Sequence, residues 1–164
     1  MKYKSEGNYS FYDKMKAWIR YNFVKNNNTP LLFSKVADKL YIGRAPRTPD
    51  DIYNLNKINI GATVTVQMEY EISYDASEYG SSENLILHVP DMCCPTQHQY
   101  HIANKFIGTQ LYLGKNVFIQ CNAGHGRSAA VLANYLQKAR KFTPDQTCTI
   151  LKSKRIGINC KCIH

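Results

Sequence analysis

The chain has 164 residues, 44% of them hydrophobic and 20% charged, proportions that suit one folded domain and exclude an intrinsically disordered chain. No run reaches the ~18 consecutive apolar residues needed to cross a bilayer, and the first residues, with Glu6 and Asp13, hold no apolar stretch of signal-peptide length; the expectation is an intracellular, cytoplasmic protein. The formal charge of +9 is lopsided, because residues 111–164 contain nine Lys and Arg against the single acid Asp145, so phosphorylated molecules, RNA and an anionic membrane surface stay open as partners, beside a merely solubilising basic face.

In chain order, Ser10 with Asp13 makes a capping box, and Phe11, Met15, Trp18, Ile19 and Phe23 recur at helical spacing, which predicts a helix to about Lys25. The run Asn26-Asn27-Asn28-Thr29-Pro30 ends it. Residues 1–30 thus read as an N-terminal helical extension and 31–164 as the main domain. There, Val36 to Gly43 reads as one strand entering a turn at Ala45-Pro46. Thr48-Pro49-Asp50-Asp51 starts a helix, with Thr48 as cap and Pro49 at the first helical position, that should stop near Gly61.

Ala62 to Val66 and Leu85 to Val89 have the β-branched and aliphatic content of buried strands, a helix is expected over 96–113, and Val117-Phe118-Ile119 is a third buried strand. A glycine-punctuated turn follows, then helices from Ser128 to Lys141 and from Thr143 onward. Strands alternating with helices imply a single α/β domain with a mainly parallel central sheet flanked by helices, whose sites lie at the carboxyl ends of the strands.

The turn after the third strand is Cys121-Asn122-Ala123-Gly124-His125-Gly126-Arg127-Ser128. A cysteine six positions before an arginine is weak alone; glycines at 124 and 126 and the strand-turn-helix setting give it weight. Small residues opening a helix can turn backbone N–H groups inward as a nest for a phosphate dianion, with Gly124 and Gly126 permitting the curvature. The same field, with Arg127, stabilises a thiolate on Cys121, so its pKa should fall below that of a free thiol. Arg127 can grip two phosphate oxygens, and Ser128 can donate to the sulfur. Displacement at phosphorus also needs a general acid; Asp91, just after the second buried strand, is the candidate, with a turn or cap aspartate as the alternative.

These residues carry a resemblance. Cys121, Arg127 and Ser128 match the His-Cys-x5-Arg-Ser/Thr pattern of the dual-specificity branch of cysteine-based protein tyrosine phosphatases, with Gln120 in place of the usual histidine. Asp38-Lys39-Leu40-Tyr41-Ile42-Gly43 resembles that family's early strand, and Asp91 falls where the family places its acid. Met68-Glu69-Tyr70-Glu71, Asp91-Met92 and Pro95-Thr96 most resemble the branch containing the mitochondrial phosphatidylglycerophosphate phosphatase.

The resemblance implies the cysteine-based phosphatase fold and a catalytic domain over 31–164. It also implies a phosphomonoester phosphatase, acting through a phosphocysteine on phosphorylated protein or another phosphomonoester, with no metal or cofactor. Cys121, Arg127, Asp91 and Ser128 would be catalytic, and Asn122, Ala123, Gly124, His125, Gly126 and Arg127 would bind substrate. A lipid phosphatase, an RNA 5′-phosphatase and a slow phosphate-binding pseudophosphatase are the alternatives. Two departures matter: Gln120 cannot carry charge, which implies weaker thiolate stabilisation, and Asn122 and His125 stand where phosphoinositide-directed relatives often have lysines. The chain also ends soon after its last predicted helix, where relatives can carry another.

Other residues divide between readings. Glu69 and Glu71 either orient Arg127 and its loop or sit on the surface, and His125 meets substrate or solvent. His98 and His101 read as helix-face residues, and Lys152, Lys154 and Arg155 as a solvated basic face. The six cysteines, Cys93, Cys94, Cys121, Cys148, Cys160 and Cys162, read as reduced thiols because the chain is long enough to build its own core. Cys93 or Cys94 would then be available to trap an oxidised Cys121 as a disulfide.

Overall fold

The three buried apolar runs form the centre of one six-stranded sheet in the computed structural model, which describes residues 1–23 and 31–164. They become β4 (Ile60–Val66), β5 (Glu83–His88) and β6 (Asn116–Cys121), flanked by β1 (Lys2–Glu6), β2 (Phe33–Ala37) and β3 (Leu40–Arg44) in the order β1-β5-β4-β6-β3-β2. Every pairing is parallel except β2 with β3. The protein is therefore a single α/β domain with a mostly parallel sheet, and the carboxyl ends of β3, β4, β5 and β6 open on one edge.

Two departures from the sequence reading concern strands. The stretch read as one strand from Val36 to Gly43 is a hairpin: Lys39 takes a left-handed φ of 57° and reverses the chain between β2 and β3. The N-terminal segment contributes β1, which the sequence did not announce. KYKSE has one buried residue and no apolar run, and it is a strand because Tyr3 to Glu6 find Leu85 to His88 across the sheet.

The helices are α1 (Phe11–Phe23), α2 (Pro49–Lys57), α3 (Gln97–Tyr112), α4 (Arg127–Arg140) and α5 (Pro144–Lys154). Thr48, Thr96 and Thr143 each close a capping box with the residue three positions on. Ser10 caps α1 with its hydroxyl alone, accepting from the Asp13 amide at 3.1 Å and donating to the Asp13 carboxylate at 2.6 Å. The helix expected to reach Lys25, and the Asn26–Pro30 break, run past Phe23 outside the described residues.

The pleat of β6 sends alternate side chains to two cores. Val117, Ile119 and Cys121 join the main core with Ala129, Leu132 and Leu136 of α4. Phe118 joins the smaller core with Leu55 and Tyr79. Among the described residues no helix is long and apolar enough to cross a membrane.

Candidate active site

Cys121 is the last residue of β6 and Arg127 the first of α4, so the six residues from Cys121 to Gly126 form the turn between strand and helix. This turn needs one residue that no side chain could replace. Gly124 has φ 72°, and a Cβ there would lie 2.3 Å from the Gly43 carbonyl carbon of β3. Gly43 is equally confined, since its Cβ would sit 2.1 Å from the Leu32 carbonyl oxygen. Gly126 plays a different part from the one expected: its φ is −113° and a Cβ would meet nothing within 4 Å, so it keeps the cleft open and does not create the bend.

The sulfur of Cys121 lies 3.2 Å from the Ser128 hydroxyl and accepts from the Gly124 amide at 3.3 Å. Burial pushes its thiol pKa up, but Arg127, the Ser128 hydroxyl and the Ser128 and Gly124 amides outweigh burial and hold it below the ordinary thiol value. Arg127 is buried, and both ends of its guanidinium are fixed by Glu71, with Nη1 donating to Oε2 at 2.6 Å and Nη2 to Oε1 at 2.8 Å. It also donates to the Val89 carbonyl at 2.9 Å. Of the two readings left open for Glu71, orientation of Arg127 is the one the geometry takes. Glu69 instead faces solvent and pairs with Lys4 at 3.3 Å.

Asp91 follows β5, as its position before Cys121 predicted, and enters the same cleft. One carboxylate oxygen is 3.5 Å from Arg127 Nη2 and accepts from the Met92 amide at 3.0 Å; the other accepts from Arg20 Nε at 3.1 Å. Met92 holds φ 69°, a conformation costly for a non-glycine residue, within the turn that aims this carboxylate.

Gln120 points to the opposite face of the sheet from Cys121. Its amide donates to Thr65 Oγ1 at 3.1 Å and to the Tyr79 hydroxyl at 2.9 Å, so the side chain ties two strands and a short 3-10 turn together in the smaller core. His125 is half-buried against Gly157. Burial and then Arg155 lower its pKa, favouring the neutral ring, and its carbonyl accepts from the Asn159 amide at 2.9 Å.

The cleft encloses about 550 Å³ and is lined by Cys121 to Ala123, His125 to Arg127 and Asp91, with Arg20, Arg47 and Lys161 among the residues of its wall. Arg47 donates to the Asn122 carbonyl at 3.0 Å; no sequence motif marked it or Arg20, because both arrive through tertiary contacts. His98 and His101 lie exposed on α3.

Two expectations are corrected. Arg155 does not belong to a solvated face: it is 3% exposed and donates to the carbonyls of Gly124, Leu31 and Ala123 and to the Ser34 hydroxyl, while Lys152 and Lys154 do face solvent. Nor are all six cysteines thiols. Cys94 is bonded to Cys162 and Cys148 to Cys160, leaving Cys93 and Cys121 free. The packing of the 156–164 segment against α3 and α5 brings these sulfurs together, which spacing in sequence could not reveal. Cys94 is therefore not available to trap Cys121.

Residues 40–163 match the family described as dual specificity phosphatase, catalytic domain. The phosphatidylglycerophosphate phosphatase PTPMT1 of Arabidopsis thaliana is 28% identical over 140 residues, covering 82% of this chain and 41% of its own length. Phosphatidylglycerophosphatase and protein-tyrosine phosphatase 1 of Mus musculus is 28% identical over 109 residues, 63% of this chain and 56% of its own. The chain thus spans about half the length of these relatives. Its fold superimposes on a crystal structure of PTPMT1 in complex with PI(5)P with a TM-score of 0.70, at 21% identity, covering 78% of this chain and 86% of that one.

Proposed function

Because the chain belongs to the dual specificity phosphatase catalytic-domain family, we propose that it hydrolyses phosphomonoesters through a phosphocysteine on Cys121, with phospholipid head groups as its substrate class. The observation that carries the reading is the Cys121 sulfur, held by Ser128 and the Gly124 amide in one cleft with Arg127 and Asp91. In the first step the thiolate forms a bond to phosphorus as the ester P–O bond breaks, and Asp91 gives its proton to the leaving oxygen. In the second, water attacks phosphorus, Asp91 takes the proton, and the S–P bond breaks to release inorganic phosphate. Arg127 and the loop amides hold the equatorial oxygens, and the Ser128 hydroxyl stabilises the departing sulfur.

The lipid reading draws support from relatives named for phosphatidylglycerophosphate, from the PI(5)P complex of PTPMT1, and from the cations Arg20, Arg47 and Lys161 around the cleft. Phosphate release is to be measured in EDTA from an aryl phosphate, a phosphatidylglycerophosphate dispersion, a phosphotyrosine peptide and triphosphate-ended RNA. Cys121→Ser should abolish turnover of all substrates, and the lipid should give the highest kcat/KM. Activity that survives Cys121→Ser would overturn the mechanism, and a higher kcat/KM on peptide or RNA would overturn the substrate class. Asp91→Asn should slow the first step by a factor on the order of 10²–10⁴ for poor leaving groups.

A further inference from the structure

The apolar face of the helix that sequence periodicity predicts is turned away from the core. In α1 only Ala17 is buried, whereas Phe11 is 80% and Phe23 72% exposed, with Tyr12, Met15, Trp18 and Ile19 also facing solvent. At 100° per residue these six side chains fall within an arc of roughly 140°, which also holds one polar residue, Asn22, whose amide donates to the Trp18 carbonyl at 2.8 Å. Lys14 and Lys16 stand at its two edges, and Ala17, Asp13 and Arg20 lie on the far side. An apolar arc with aromatic rings at both ends and lysines along its borders is the composition of a helix lying in the plane of a bilayer surface, where the lysine stems run along the apolar face and their ammonium groups meet lipid phosphates.

We propose that α1 is a membrane-docking element, which inserts this arc into the interface of a bilayer containing anionic phospholipid. Charge selects the occupant. Residues 1–23 carry five Lys and Arg against two acids, which disfavours a second copy of the chain across this face and favours an anionic lipid surface. The position of the helix gives docking a consequence. Arg20, Tyr21 and Asn22 form part of the cleft wall, and Tyr21 packs on Tyr70 with ring centroids 5.4 Å apart. Arg20 holds Asp91 at 3.1 Å. Docking therefore holds a helix of the cleft wall at the membrane surface, a use that rests on the lipid-phosphatase reading; the docking itself does not.

The chain contains one tryptophan, Trp18, so its fluorescence reports on this helix alone. The full chain is to be mixed with phosphatidylcholine vesicles and with vesicles of phosphatidylcholine and phosphatidylglycerol, following Trp18 emission and co-sedimentation. The expected result is a blue shift and co-sedimentation with the anionic vesicles only, weakened by salt. The triple substitution F11S/I19S/F23S should lower vesicle binding at least tenfold while aryl phosphate turnover in solution is unchanged. A charge-reversed variant, K14E/K16E, should lose binding as well. Trp18 emission unmoved by anionic vesicles, binding undiminished in both variants, or a blue shift that grows with protein concentration in the absence of lipid would each overturn the proposal; the last would assign the face to self-association. Vesicle binding by a protein that hydrolyses no aryl phosphate would support docking while the phosphatase reading fell.

Discussion

Arg155 reaches back across the chain to Gly124, with its Nε donating to that residue's carbonyl at 2.9 Å. Its Nη2 takes the Leu31 carbonyl at 2.6 Å and the Ala123 carbonyl at 3.3 Å, and Nη1 the Ser34 hydroxyl at 3.3 Å. One guanidinium thereby holds two loop carbonyls on the side away from the cleft, which favours amides facing inward. Arg155→Ala should destabilise the protein by about 1–3 kcal/mol for each buried carbonyl left unpaired and should lower kcat/KM. Arg155→Lys should recover little of either, since an ammonium lacks the planar fork that spans these acceptors. Urea unfolding and turnover of an aryl phosphate measure the two effects.

Glu71 is the only partner described for Arg127 that carries charge and binds both guanidinium nitrogens. Both side chains are buried, so Glu71→Ala leaves an uncompensated cation and should cost about 3–5 kcal/mol. Glu71→Gln keeps the shape and one acceptor oxygen. It should preserve more stability yet weaken inhibition by phosphate and vanadate, because the guanidinium loses its fixed orientation. Equal inhibition constants in the Gln variant and the unaltered protein would show that Arg127 needs no such support.

The two free cysteines should titrate in opposite directions. For Cys93, burial and then Asp13 push the thiol up; for Cys121, burial is outweighed by Arg127, Ser128 and Gly124 and the thiol goes down. The alkylation rate of Cys121 should accordingly reach its plateau at lower pH than that of Cys93, and vanadate should protect Cys121 alone. Ser128→Ala should move the Cys121 plateau to higher pH. In linkage terms, the lowered folded pKa contributes stability that is complete above the unfolded thiol value of about 8.5 and is lost as pH falls through the folded value. The difference in stability between the protein and Cys121→Ser should shrink on acidification across that window.

Cys94–Cys162 joins the turn after Asp91 to the segment that carries Lys161, across a sequence separation of 68. Cys148–Cys160 is nested within it. Reduction should lower the thermal midpoint by an amount corresponding to about 2–4 kcal/mol for the longer loop. It should also raise the count of reactive thiols under denaturing conditions from the two free cysteines to all six. A C94S/C162S variant should reproduce the reduced protein's loss without reductant.

Local grammar made part of this molecule legible. Thr48-Pro49, Thr96 and Thr143 announce their helices because a cap is satisfied within four residues. Cys121 to Ser128 announces the loop because its chemistry is contiguous. What the sequence concealed depends on partners far along the chain. β1 pairs with β5, Arg155 is buried through Leu31, Ser34, Ala123 and Gly124, and each disulfide requires the fold of the 156–164 segment. The periodicity of α1 was visible, but periodicity says that a helix has an apolar face and not which way it looks; a single alanine turned inward decides that. Gln120 illustrates the same limit, since neighbouring residues of a strand point to opposite layers.

Translation runs from the amino end, so Cys121 to Ser128 leaves the ribosome ahead of Arg155, Gly157 and Asn159, the residues that brace that loop from behind. A nascent chain can therefore assemble the sheet and expose Cys121 before the surroundings that sharpen its reactivity are in place. The order of synthesis makes the 155–159 segment a checkpoint: a chain cut short before Arg155 keeps its cysteine and Arg127 but lacks the brace that shapes the loop between them.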